Sequence, residues 1–259
     1  MVSNKNILIA QGGGPTNVIN QSLVGIIRQE KKYKSKILGS INGVNGIINN
    51  RFISLNKISE NDLKTIANTP GAALGSTRDK PDKKYCKEIL KILENKQISK
   101  FYYIGGNDSS DSLRIISEYA KDTKYKLQCI HIPKTIDNDL VCNDHTPGFG
   151  SAAKYVAQLF SGINYDVKSL PGVYLGIVMG RHAGFLTAAS SLLKKENDDG
   201  PNLIYIPESP FEMNTFLNQV KGIFNKYGRC VIAISEGIQD KNKKLISQKI
   251  IKKTEFDAH

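Results

Sequence analysis

The chain has 259 residues, with 36 Lys+Arg against 24 Asp+Glu and a formal net charge of +12. Hydrophobic residues make up 40% and charged residues 23%, which excludes an intrinsically disordered chain. At roughly 150 residues per domain the length allows one large domain or two small ones, either with a real core. No apolar run approaches the ~20 residues of a membrane span, and Ile7–Ala10 is too short for a signal-peptide core. A soluble, cytoplasmic chain with no membrane partner is expected.

Short β-branched runs alternate with amphipathic helical segments almost from end to end. Asn6–Gln11 reads as a buried strand, followed by a glycine loop and a helix over Val18–Lys31 with Ile19, Leu23, Ile26 and Ile27 on one face. Lys36–Ile41 is a second strand, Asp82–Glu94 a helix, and Lys100–Ile104 a strand running into Gly105-Gly106. Ser109 is the candidate cap of a helix through Ala120. Leu127–Ile132 is the next strand, and a helix is expected near Ser151–Phe160. Then come a strand at Val173–Val178, a helix at Gly184–Lys195, a strand at Leu203–Ile206, a helix at Phe211–Tyr227 and a strand at Cys230–Ser235. This alternation predicts an α/β fold of mostly parallel sheets with helices on both faces. About eight candidate strands are too many for one small doubly wound domain. Two stacked Rossmann-like layers are expected, dividing in the polar stretch Asp137–Pro147 into residues 1–140 and 141–255.

The charge and the soft ligands point to no obvious partner. Only six of the basic residues are arginine, and the lysines are scattered, whereas nucleic-acid sites favour the planar fork of Arg. The densest patch, Lys241–Lys253, carries six lysines and no acid and reads as a solvated hairpin or edge strand. No nucleic-acid partner is expected. Cys86, Cys129, Cys142 and Cys230 have no CxxC spacing and read as reduced thiols. The four histidines show no metal-site spacing, so a structural zinc is not expected.

Open parallel sheets bind ligands at the carboxyl ends of their strands. The loops that follow the strands are Gly12–Pro15, Gly43–Gly46, Gly105–Ser109, Pro133–Asp139, Met179–Gly184 and Glu236-Gly237, and nearly every unusual residue lies in one of them. Gly12-Gly13-Gly14 between a strand and a helix lets backbone N–H groups approach an anion at the positive end of a helix dipole. Gly105-Gly106-Asn107-Asp108 repeats the design and adds a carboxylate. An acid beside a phosphate turn repels the anion unless a cation lies between them, and Mg²⁺ prefers carboxylate, water and phosphate oxygens. Pro133-Lys134-Thr135-Ile136-Asp137-Asn138-Asp139 sets two carboxylates beside a lysine at a strand end. One carboxylate can take a hydroxyl proton while the lysine neutralises a transferring phosphoryl group. Arg78 and Arg181, each among glycines and small residues, are candidate phosphate clamps.

Together these loops resemble the phosphofructokinase family from Ile7 to about Asp240, and most closely its pyrophosphate-dependent branch. The resemblance implies two α/β layers, with the phosphoryl donor on the first and fructose 6-phosphate on the second, and transfer from pyrophosphate to the sugar's 1-hydroxyl with Mg²⁺. It makes Asp137 the proton acceptor with Thr135 and Asp139 beside it, and Met179, Gly180 and Arg181 the segment that holds the sugar phosphate. Glu236 matches the glutamate that accepts sugar hydroxyls, Gly13 a donor-phosphate contact, and Arg78 the arginine bridging both phosphates. ATP-using relatives carry glycine where this chain has Asp108 and Lys134. Asp108 puts bulk and negative charge where a nucleotide's α-phosphate would go. Lys134 offers a cation to the pyrophosphate leaving group.

Three departures qualify the likeness. Asn107 stands where many relatives have the metal-binding Asp. Gly172, nine residues before Arg181, stands where ATP-using bacterial enzymes donate an arginine across a subunit interface. Family chains continue past the Ser-Glu-Gly strand, whereas residues 256–259 only begin such a return, so the resemblance makes the second layer incomplete and leaves the match of His259 open. An ATP-dependent kinase and a truncated, non-catalytic relative remain as alternatives. The family's shared sugar sites imply a homodimer or homotetramer.

Overall fold

The computed structural model describes residues 6–251. The chain divides into two compact units, Met1–Thr135 and Ile136–His259. The division falls inside the Pro133–Asp139 loop, a few residues ahead of the 140/141 boundary expected from the sequence.

In the first unit five strands order as β3-β2-β1-β4-β5. They are β1 (Asn6–Gln11), β2 (Lys36–Ser40), β3 (Phe52–Ser54), β4 (Ile98–Gly105) and β5 (Gln128–Pro133). All pairs are parallel except β2 with β3. Side chains alternate across a strand, and the core splits accordingly. Leu8, Ala10, Phe101 and Tyr103 pack on one face with α2 (Gly43–Ile48), α4 (Lys83–Asn95) and α5 (Asn107–Asp122). Ile9, Ile37 and Ile104 pack on the other with α1 (Ile19–Lys31) and α3 (Glu60–Asn68). The chain leaves β1 toward β2 on one side and returns at β4 on the other, so the sheet reverses its order between β1 and β4. A crevice outside the carboxyl ends of two such strands is where this fold class binds ligands.

The second unit has a three-stranded parallel sheet, β6-β8-β7, built from β6 (Gly172–Val178), β7 (Leu203–Tyr205) and β8 (Arg229–Ser235). One face carries α6 (Phe149–Ser169) and α7 (Phe185–Ala189) over Val178, Val231 and Ala233. Ile234 and Ile238 pack with Phe216 of α8 (Met213–Tyr227). Among the described residues no helix is long and apolar enough to cross a membrane.

Several expectations shift. The expected cap Ser109 lies inside α5, which starts at Asn107 after an extended Gly106. The Ser109 hydroxyl bonds that of Tyr103 instead of capping a helix end. Gly43–Gly46 is the start of α2 and not a loop. The helix expected near Ser151–Phe160 runs further at both ends. The one expected over Gly184–Lys195 stops at Ala189, where the Ser190 hydroxyl turns back to the Thr187 carbonyl. In the lysine-rich segment a single antiparallel bridge, Gln239 to Leu245, leads into α9 (Ile246–Ile251). Lys252, Lys253, His259 and the expected return over 256–259 lie outside the described residues.

Candidate functional site

At the carboxyl end of β1 the chain makes the turn Gly12-Gly13-Gly14. The Gly12 N–H donates to the Ile104 carbonyl at 2.8 Å, tying the turn to β4. A Cβ on Gly12 would stand 2.5 Å from the Tyr103 hydroxyl and 2.7 Å from Ser109 Oγ, so only glycine lets the turn approach β4 and α5 this closely. Burial pushes the Tyr103 hydroxyl up to about 12. It is therefore a neutral hydrogen-bonding group beneath the turn. Gly13 has φ +75°, and its N–H donates to the Thr77 carbonyl at 2.9 Å. Lys134 reaches the same turn. Its ammonium donates to the Gly14 carbonyl at 2.6 Å, while its backbone N–H donates to the Gly105 carbonyl at 3.1 Å. The lysine side chain is thus a buried cation placed against a glycine turn, with a second strand end holding its backbone.

Arg78 is exposed and makes no ion pair among the described residues. It follows Thr77 directly, and Ser76 Oγ donates to the Gly13 carbonyl at 2.5 Å, so two bonds lace its approach to the glycine turn. Asn107 and Asp108 are the first two residues of α5, both exposed. The Asp108 carboxylate lies 3.2 Å from the Lys80 ammonium. An acid in a first turn suits the helix dipole. Thr135, half-buried, closes the first unit. Among the described residues no three His, Cys, Asp or Glu side chains converge as a metal cage.

The second unit gathers the other candidates. Burial, then the neighbouring Asp139 and Glu236 carboxylates, raise the Asp137 carboxyl above the usual aspartate range, against the opposing pull of Arg181 and His182. A carboxyl poised in this way is a better proton acceptor than an ordinary aspartate. Asn138 turns the chain between the two acids with φ +59°. Its amide oxygen accepts the Thr146 N–H at 2.8 Å and its amide donates to the Asp144 carbonyl at 3.2 Å, locking that turn. Asparagine tolerates this left-handed conformation better than most residues.

Met179, Gly180 and Arg181 follow β6, and beside it β8 ends at Ser235 and runs into Glu236-Gly237. The Ser235 hydroxyl donates to the Gly180 carbonyl at 2.6 Å, and the Glu236 N–H donates to the Val178 carbonyl at 2.9 Å. Gly180, at φ +130°, donates its N–H to Glu236 at 3.4 Å. Further along, the Gly184 N–H donates to Glu208 Oε1 at 2.8 Å. Two carboxylates therefore bracket the exposed Arg181 and His182. Sequence reading did not single out Asn138, His182 or Glu208. A Pro-Glu pair after the β7 strand was the available signal for the last.

The residues picked from the sequence thus form two groups: Gly13, Arg78, Asn107, Asp108, Lys134 and Thr135 in the first unit, and Asp137, Asp139, Met179, Gly180, Arg181 and Glu236 in the second. The Phosphofructokinase family model matches residues 6–259. The chain is 56% identical over 255 residues to the pyrophosphate--fructose 6-phosphate 1-phosphotransferase of Rhodospirillum rubrum, covering 98% of this chain and 63% of the relative. The enzyme of the same name from Xanthomonas campestris pv. campestris is 40% identical over 255 residues, covering 95% and 61%. The crystal structure of pyrophosphate-dependent phosphofructokinase from Marinobacter aquaeolei superposes with a TM-score of 0.79 at 36% identity, covering 92% of this chain and 62% of that one. This chain therefore spans a little under two thirds of the length of these relatives. Sheet order, glycine turns and sequence likeness agree: the chain belongs to the phosphofructokinase family.

Proposed function

We propose that the chain transfers a phosphoryl group from pyrophosphate to the 1-hydroxyl of fructose 6-phosphate. The observation that carries the donor assignment is Lys134, a buried ammonium held 2.6 Å from the Gly14 carbonyl where ATP-using relatives carry glycine. The names of the relatives at 56% and 40% identity support the same donor and acceptor. Asp137 accepts the proton of the 1-hydroxyl, and the resulting oxygen attacks the phosphorus of pyrophosphate. The bridging P–O bond breaks and orthophosphate leaves. Positioning and charge stabilisation dominate such transfers. Lys134 and Arg78 stabilise the charge spread over the transferring and leaving phosphates. The Gly12-Gly13-Gly14 turn gives the donor a surface without side chains. Met179, Gly180 and Arg181 hold the sugar phosphate, Glu236 accepts sugar hydroxyls, and Thr135 and Asp139 flank Asp137 at the sugar.

Mg²⁺ fits this donor site as an ion bound mostly by diphosphate oxygens and water, which needs only one or two protein oxygens. The Asn107 amide oxygen, with the Asp108 carboxylate beside it, would hold the ion, which would supply neutralisation of the diphosphate charge. The Asp108 carboxylate, 3.2 Å from the Lys80 ammonium, also disfavours a nucleotide donor by like-charge repulsion. Association into a homodimer or homotetramer is part of the reading. It is supported by the row Val173, Leu175 and Ile177 on edge strand β6, which is 54%, 45% and 71% exposed. A cytoplasmic location is part of the same reading.

The test is a coupled assay with fructose 6-phosphate and each donor in turn, alongside calorimetry with fructose 6-phosphate alone. Turnover with pyrophosphate and not ATP is expected. Turnover with ATP alone overturns the donor, and absence of sugar-phosphate binding overturns the acceptor.

A further inference from the structure

Residues 69–82, between α3 and α4, form neither helix nor strand, and Arg78 lies on this arm. Two glycines within it adopt positive φ, Gly71 at +111° and Gly75 at +68°. A segment of that kind has no regular backbone ladder to stiffen it. Packing is thin as well. Leu74 is its one deeply inserted side chain before Arg78, and a cavity of about 220 Å³ lined by Thr65, Ile66, Pro70 and Ala72 borders it.

Two buried amides hold the arm. Asn20, 2% exposed on α1, donates to the Thr69 carbonyl at 2.9 Å and accepts the Ala73 N–H at 2.8 Å. Gln11, fully buried as the last residue of β1, accepts the Leu74 N–H at 2.9 Å. Its amide donates to Asn20 Oδ1 at 3.2 Å and to the Ile19 carbonyl at 3.2 Å. An amide carries a donor and an acceptor together, and this arm presents both N–H and C=O groups. Neither a carboxylate nor an aliphatic side chain satisfies that pattern. Gln11 also directly precedes the glycine turn, so adjacent residues fix the turn and the arm. From Leu74 the lacing continues through Ser76 and Thr77, which bond Gly13, to Arg78.

We propose that Gln11 and Asn20 are positioning residues that set the reach of Arg78 toward the bound diphosphate. Neither touches the ligand. The inference rests on the donor reading given above.

The experiment is a double-mutant cycle on pyrophosphate binding, measured by calorimetry with Mg²⁺ on the full chain carrying Asn20→Ser, Arg78→Ala, or both. Asn20→Ser is expected to weaken binding about tenfold, equivalent to about 1.4 kcal/mol, and to add nothing once Arg78 is alanine. Equal weakening in both backgrounds overturns the proposal, as does unchanged affinity with a lowered Tm. Gln11→Met, nearly isosteric, serves as the second variant if Asn20→Ser does not fold, with the same expectations. Should the unsubstituted chain fail to bind pyrophosphate, the donor reading falls. Hydrogen exchange then decides the positioning role. Selective loss of protection at the Ala73 and Leu74 amides, with β1 unchanged, supports it, and unchanged protection there overturns it.

Discussion

Lys134 donates to the Gly14 carbonyl at 2.6 Å from a side chain on a residue only 5% exposed. Lys134→Met keeps the length and removes the charge and the donor. Gly14 is only half-buried, so losing this hydrogen bond costs about 0.5–1.5 kcal/mol. Losing a preorganised charge at a reacting phosphate is expected to lower kcat about 10²–10³-fold. Steady-state rates with pyrophosphate and thermal melts on one preparation separate the two effects.

Asp137 is expected to tie activity to pH. Its carboxyl sits above the usual range because of burial and the nearby Asp139 and Glu236. The acidic limb of the rate profile is expected above the ordinary aspartate value of about 3.9, and Asp139→Asn moves it to lower pH. Asp137→Asn lowers the rate about 10²–10⁴-fold. The stability effect has the opposite sign. A raised carboxyl binds its proton more tightly when folded. The fold therefore loses stability as pH rises from the unfolded value through the folded one, and the loss is complete above it. At pH 7 Asp137→Asn is expected to raise Tm, and melts across pH 3–8 check it.

The donor choice is open to reversal. Asp108 is exposed at the second position of α5, so Asp108→Gly removes its charge near the helix N-terminus at a stability cost of about 1–2 kcal/mol. Combined with Lys134→Gly, it is expected to raise kcat/KM for ATP and lower it for pyrophosphate. An unchanged ATP rate removes steric and electrostatic exclusion as the explanation.

Glu208 is expected to affect the other substrate. Glu208→Ala deprives the Gly184 N–H of its acceptor and loosens the loop that presents Arg181 and His182. The expected result is a several-fold higher KM for fructose 6-phosphate at unchanged KM for pyrophosphate. Glu208→Gln, which retains an accepting oxygen, restores most of the affinity.

Strands β1 and β4 and the glycine turns after them are legible in the sequence because local signals coincide. Leu8 and Ile9, or Phe101 and Ile104, are buried apolar runs that end in glycines, and both faces of the strand are covered. α3 went unread although Ser59 accepts the Asp62 N–H, a capping signal present in the sequence. Three-residue β3 is too short to show a period of two. The sequence starts α5 late because Ser109 has the composition of a cap, while its partner, the Tyr103 hydroxyl, lies on a neighbouring strand. The site shows the same divide. Lys134, Asp137 and Arg181 stand out by composition and place. Gln11 and Asn20 act on backbone 49 to 63 residues away, and no local pattern announces that.

Gly237 carries a consequence for how this region can vary. A side chain there would overlap the carbonyl oxygen of Arg181. The clash is with main chain, so no rotamer change elsewhere relieves it, and Gly237 admits no compensating partner substitution. In a saturation library the position is expected to tolerate glycine alone, while its exposed neighbour Glu236 tolerates many residues for folding and few for turnover. The turn thus joins a position constrained by shape to one constrained by chemistry, and abundance and activity measured together tell them apart.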